Sequence, residues 1–198
     1  MEVENESIRR EVLRYDLVID EQRRTIYGWR QTILAQDTEE MMSLILEMVS
    51  CLFDDRLSSE SDAEDDETRQ EMVESFHEIL CSDLVRVDEP NRDDVQYLVH
   101  KRLMEVESTI GRDQLAVIAG KVMLTTIDNL WTEHLGNLES VDEAVGLRGY
   151  AELDPLIEFK REAHNLYQTM LIDIRINALT QILIDLPDAL YLRERPLD

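Results

Sequence analysis

The chain of 198 residues is 43% hydrophobic and carries 44 acidic against 20 basic residues, a formal net charge of −24. Its apolar content can bury a sizeable core and excludes a disordered tail, while apolar runs of only a few residues exclude a bilayer-crossing helix, which needs about 20. The acidic surface repels phosphate backbones, so no nucleic acid is expected as a partner; it suits basic or unfolded polypeptides, or serves solubility alone.

No charged-then-apolar leader opens the sequence, which reads as a soluble, cytoplasmic chain. Four prolines and six glycines among long stretches of Leu, Glu, Arg, Gln and Met predict an all-α fold. In the first element Ile8, Val12, Tyr15, Ile19, Gln22, Ile26, Trp29 and Ile33 recur at spacings of four and three. That is a heptad stripe with one polar member. A helix over residues 7–36 is about 45 Å long, whereas a compact globule of this size is about 42 Å across, so an elongated fold is expected.

Asp37 and Thr38 offer a break and a new cap. The helix that follows is apolar almost all round, with Met41, Met42, Leu44, Ile45, Leu46, Met48, Val49, Leu52 and Phe53. Such a helix must be buried on several sides. Its methionines could alternatively form an adaptable groove for partner helices. Residues 54–71 hold nine acids and two arginines and read as a mobile loop and domain border. Met72, Phe76, Ile79 and Leu80 mark a short helix, and Asn91 caps the next, which places Val95, Leu98, Val99, Arg102, Leu103 and Val106 on one face. That helix stops near Gly111, where a left-handed cap is easy.

The last third reads as a long helical hairpin, one helix from Asp113 to Val145 and the other from Pro155 to Leu186. Asp154 can cap the second while Pro155 fills its first turn, and Gly146 and Gly149 bracket the turn. Leu115, Ile118, Val122, Ile127, Leu130, Trp131, Leu135 and Leu138 can face Phe159, Leu166, Tyr167, Met170, Ile174, Leu179 and Ile182. The predicted division is 1–57, 58–111 and 112–198, with the hairpin tip at about 146–154.

Neither a G-x-x-x-x-G-K-[ST] nor a G-x-G-x-x-G phosphate cradle occurs in the chain, and no nucleophile elbow appears. Pairing the hairpin about its turn puts His134 and His164 at nearly one height, with Glu133 and Glu162 close by. Bundle di-metal sites use glutamate and histidine three residues apart on one helix, and neither helix has that spacing, so no metal and no other cofactor is expected. Cys51 and Cys81 form no CxxC pair and read as free thiols.

Two blocks resemble a known family. IRREVLRYDLVIDEQRRTIYGWRQTIL, residues 8 to 34, and GKVMLTTIDNLWTEHLGNLESVDEAVGLRGYAELDPLIEFKREAHNLYQTML, residues 120 to 171, closely resemble the C-terminal helical part of the SecA family of bacterial preprotein translocase motors. The resemblance rests on Tyr15 and Asp16, then Gln22, Arg23, Arg24, Ile26 and Tyr27 in the first block. In the second it rests on Leu130, Trp131, Glu133, His134 and Leu135, on Leu147, Arg148, Gly149, Tyr150, Ala151, Asp154 and Pro155, and on Lys160, Arg161 and Glu162.

The resemblance implies a helical scaffold domain over 1–57 and 112–198, a helical wing domain over 58–111, and a two-helix finger in the hairpin. It makes Tyr150 the fingertip side chain that meets the moving polypeptide, with Leu147, Arg148 and Gly149 shaping its loop. It makes Tyr15, Asp16, Arg23, Arg24 and Trp131 the scaffold interface. The implied partners are the motor domains, a preprotein and the membrane protein-conducting channel, which adds a peripheral place at the inner membrane. From geometry alone Tyr150 packs the turn or is exposed for contact; the resemblance implies the contact.

The chain departs from the family pattern in places. No motor half precedes the scaffold helix, so the sequence predicts no enzyme activity of its own. Leu17 stands where a second aspartate is usual, and Asp142, Glu143, Glu152 and Leu153 stand near the tip where basic or amide side chains are frequent. No cysteine-rich tail follows Pro187. Two rival readings are a truncated paralogue acting as a free-standing adaptor, and a metalloenzyme around His134 and His164.

Overall fold

The break expected at Asp37 and Thr38 is where the first long helix ends. In the computed structural model, which describes residues 2–57, 92–148 and 155–186, α1 runs from Glu2 to Ala35 and α2 from Thr38 to Leu57. Asp37 is the capping residue: its Oδ1 accepts from the Glu40 backbone N–H at 2.9 Å, and Glu40 Oε2 accepts from the Asp37 N–H at 3.1 Å. This reciprocal capping box satisfies two donors that a helix start otherwise leaves open. Thr38 takes no part in it; its hydroxyl donates to Asp113 Oδ1 at 3.0 Å.

Three further helices follow, α3 over Arg92–Ile110, α4 over Arg112–Arg148 and α5 over Pro155–Thr180. A π-helical turn, Gln181–Asp185, succeeds α5. Among the described residues there is no strand, as an all-α fold requires. None of the described helices is long and apolar enough to cross a membrane. Gly111 separates α3 from α4 with φ of +85°, a left-handed conformation open to glycine at little cost. Its N–H closes α3 on the Glu107 carbonyl at 2.8 Å, and its own carbonyl accepts from Leu115 N–H at 3.0 Å.

Two boundaries differ from the sequence expectation. The hairpin's first helix passes Val145 and carries Gly146, Leu147 and Arg148 in its last turn, so Gly146 does not open the turn. A lone glycine costs a helix about 1 kcal/mol, too little to end one of this length. The second helix changes at Gln181 from α to π geometry before Leu186. The acidic run 54–71 begins inside α2, whose backbone continues to Leu57. The rest of that run, the short helix of Met72 to Leu80, the caps at Asn91 and Asp154, and Cys81 lie outside the described residues. Cys51 is a free, half-buried thiol.

The chain divides into two compact units, one of Met1–Leu34 with Thr125–Ile174 and one of Ala35–Leu124 with Arg175–Asp198. In the second, Met41, Met42, Ile45, Val49 and Leu52 of α2 are buried, as are Val99, Leu103 and Val106 of α3. Leu115, Ala116, Ala119 and Met123 of α4, with Ala178, Leu179, Ile182 and Leu183, complete the buried set. Arg102, placed by its spacing on the apolar face of α3, is half-buried; its Nε donates to the Leu183 carbonyl at 3.0 Å. Around Gly111, Arg112 forks between Glu39 at 2.6 Å and Glu107 at 3.4 Å. Between α2 and α3, Gln96 donates to the Ser50 hydroxyl.

Candidate functional site

The one polar member of the α1 stripe is buried in the first unit. Gln22 shares the stripe with Ile26 and Ile33 and, like them, is buried. A buried amide without partners costs about 1–3 kcal/mol, and Gln22 has two. Its Nε2 donates to the Ala163 carbonyl of α5 at 3.3 Å, and its Oε1 lies 2.9 Å from His134 Nε2 of α4. The Ala163 carbonyl can only accept, so the amide NH2 faces it and the amide oxygen faces the imidazole. The amide oxygen so placed pairs with the His134 tautomer that bears its proton on Nε2.

His134 is only 2% exposed, and burial lowers its pKa below the ordinary imidazole value. Its ring lies 5.5 Å from that of Trp131 and 6.0 Å from that of Tyr167. Burial, then, selects the neutral imidazole and the amide selects its tautomer. His164 is exposed on α5, so the two histidines weighed together for a metal have different surroundings. Among the described residues no group of three His, Cys, Asp or Glu side chains could hold a metal ion.

Beside this junction a groove of about 510 Å³ runs between α1 and α5. Leu17, Glu21 and Thr25 line one side, Lys160, His164 and Tyr167 the other, with Gln22 also on its wall. The Tyr167 hydroxyl is buried without a hydrogen bond, and burial raises its pKa above the phenol norm. Thr25 stands near enough to hold that rise back, though not at hydrogen-bonding geometry, and the Glu21 carboxylate adds to it. Further along, Leu138, Phe159 and Ala163 form a buried apolar cluster against which Tyr15, Val18, Ile19 and Leu166 pack.

Of the expected scaffold-interface residues, Tyr15 packs its ring 4.7 Å from that of Phe159, and Trp131 is buried beside His134. Asp16 is exposed and Arg23 half-buried, while Arg24 is exposed and paired with Asp20 at 2.6 Å. Arg30, on the same helix, pairs with Asp128 of α4. Of the expected fingertip, Leu147 and Arg148 lie in the last turn of α4, and Gly149 and Tyr150 lie outside the described residues. Asp142 and Glu143, one turn earlier, are exposed.

Sequence reasoning found Gln22 as an exception in its stripe and His134 as a metal candidate, and it did not pair them. The signal was present: His134 follows Ile127 and Trp131 and precedes Leu138 at core spacing, so both polar residues occupy positions where the pattern demands burial.

The family model of the SecA wing and scaffold domain matches residues 1–185. The protein translocase subunit SecA of Treponema denticola is 34% identical over 193 residues, which is 92% of this chain and 21% of that protein. The SecA subunits of Acidobacterium capsulatum and Thermodesulfovibrio yellowstonii are 31% and 30% identical, over 86% and 92% of this chain and 18% and 21% of theirs. The chain thus spans about a fifth of the length of these relatives.

Proposed function

Because the chain belongs to the SecA wing and scaffold domain family, we propose that it serves protein export as the scaffold, wing and finger segment of a translocase motor. Residues 1–57 and 112–198 are the scaffold with its finger, and 58–111 the wing. The segment supplies mechanics and contacts and no reaction of its own. Its partners are the ATP-driven motor domains, a preprotein and the protein-conducting channel, at the cytoplasmic face of the inner membrane.

The observation that carries this reading is the continuity of α4. It runs 37 residues without a break, about 55 Å at the α-helical rise, and ends one residue short of Gly149 and Tyr150. Within the first unit, over residues 125–148, its hydrogen-bonded ladder is unbroken. Motion received by α1 passes to the hairpin through the packing of Tyr15, Phe159, Trp131 and the Gln22 junction, and reaches Tyr150. Asp16, Arg23 and Arg24 make the outward contacts to the motor domains, while Tyr15 and Trp131 hold the helix from within. At the tip a large amphipathic ring grips varied sequences through apolar and polar contacts alike.

The test is Tyr150→Ala in a complete motor carrying this segment. Preprotein translocation is expected to collapse while basal ATP hydrolysis persists. Equal translocation by variant and parent would remove Tyr150 from the mechanism.

A further inference from the structure

Apolar stripes do not by themselves choose an axial position. A heptad pattern nearly repeats every seven residues, so α1 displaced by one heptad, about 10 Å, still presents an apolar face to its neighbours. Tyr15, Ile19, Ile26 and Ile33 would each find another hydrocarbon contact. Gln22 would not. A displacement of seven residues brings Trp29 or Tyr15 to its level, and neither carries an amide. Trp29 offers only an N–H, which cannot accept from the His134 N–H, and Tyr15 a single hydroxyl in place of an amide's separate donor and acceptor, so the match at His134 and Ala163 is lost.

We propose that Gln22, held between His134 Nε2 and the Ala163 carbonyl, is a register lock that fixes the axial and rotational position of α1 against α4 and α5. Three features of the geometry support it. The junction draws one group from each of the three helices, so two distances are satisfied at once at a single amide. Ala163 is fully buried with a minimal side chain, which lets the Gln22 amide reach a helical carbonyl. That carbonyl already takes its own helix bond and has a second lone pair to spare. Finally, Trp131 and Tyr167 flank the His134 ring, so the imidazole is held in one orientation with its Nε2 toward α1.

These are positioning residues, and the proposal rests on the lever reading only for its purpose: a lever that slips along its mount delivers no stroke. The lock itself is a property of this chain and is measured without any transport assay.

The first measurement is on the unaltered protein. Nitrogen-detected NMR of the His134 ring at neutral pH, assigned by loss of its signals in His134→Phe, is expected to show one neutral species protonated on Nε2. A ring protonated on Nδ1, or one averaging between tautomers, would overturn the lock. The second compares Gln22→Met, His134→Phe and the double variant. Each single change strands one buried polar partner and should lower Tm by about 3–10 °C. Removing both should recover most of that loss, because two matched apolar groups replace two matched polar ones.

Spin labels at Arg24→Cys and Asn165→Cys, with Cys51 and Cys81 replaced by alanine, then read the register. The parent is expected to give one narrow distance, and the double variant a second, separate one from molecules in which α1 has slid by about 10 Å. A double variant that recovers its Tm and keeps the single parental distance would show that the apolar packing alone sets the register. Should the double variant fail to fold, the tautomer measurement decides. A harmless Tyr150→Ala would sink the export mechanism and leave the lock standing, whereas a single register without the pair would sink the lock whatever Tyr150 does.

Discussion

The two units bury different things. Gln22, Thr126 and His134, the buried polar residues among those described, all belong to the first unit, whereas the second unit's buried side chains are apolar. The second unit places several of its polar contacts at chain breaks, the Asp37 capping box, the Arg112 fork and the Thr38 to Asp113 bond, and others, Gln96 to Ser50 and Arg102 to the Leu183 carbonyl, between half-buried side chains and neighbouring helices. Helix ends and a left-handed glycine tell short helices where to stop. Long helices lack such marks along their length, and a directional contact inside the stripe supplies one. Apolar burial supplies most of the stability in both units, and the polar groups decide which arrangement is reached.

That comparison can be broken most severely at the apolar cluster of the first unit. Phe159→Ala removes a fully buried ring and is expected to cost about 3–5 kcal/mol in urea unfolding. A loss below 1 kcal/mol would mean the cluster contributes little. In the second unit Gly111→Ala meets no steric obstacle, since nothing lies within 4 Å of the added carbon. Its φ of +85° alone should cost about 1–2 kcal/mol, and an unchanged Tm would show that the junction relaxes freely.

Acid should separate the units further. The folded-state pKa of His134 is depressed, so the unfolded chain binds this proton first as pH falls below about 6.5. The stability linked to His134 is complete above that value and declines toward the folded pKa. Tm measured downward from pH 7.5 is expected to fall more steeply in the parent than in the Gln22→Met/His134→Phe variant. Parallel curves would contradict a buried neutral imidazole. The smallest effect belongs to the exposed Arg24 and Asp20 pair: Arg24→Ala should cost no more than about 0.5 kcal/mol and less in high salt.

Much of the fold was legible because it follows from local spacing. The α1 stripe, the cap at Asp37, the turn at Gly111 and the inward face of α3 were read from residue order, and the described side chains of each are placed accordingly. The helix end at Val145 was misread because Gly146 was taken as a stop, although the helix simply absorbs it. The shift to π geometry at Gln181 has no mark in the apolar period, which continues through Ile182 and Leu183. The reading of Tyr150 as a fingertip rests on family resemblance alone and lies outside the described residues, since a tyrosine next to a glycine in sequence does not by itself distinguish contact from packing.

The sequence by itself determined the helical class, the buried faces of α1 and α3 and the family, because hydrophobic period and capping chemistry act between residues a few positions apart. On α4 it placed Ile118, Val122, Leu130 and Leu135 inward, where Ala119, Met123, Thr126 and His134 are the buried ones. Only the tertiary structure decided what the odd glutamine in the first stripe is for. Its imidazole partner is 112 residues away and its carbonyl partner 141. A hydrogen bond requires its groups within about 3 Å and in line, a condition set by the register between helices and carried by no spacing within any one of them.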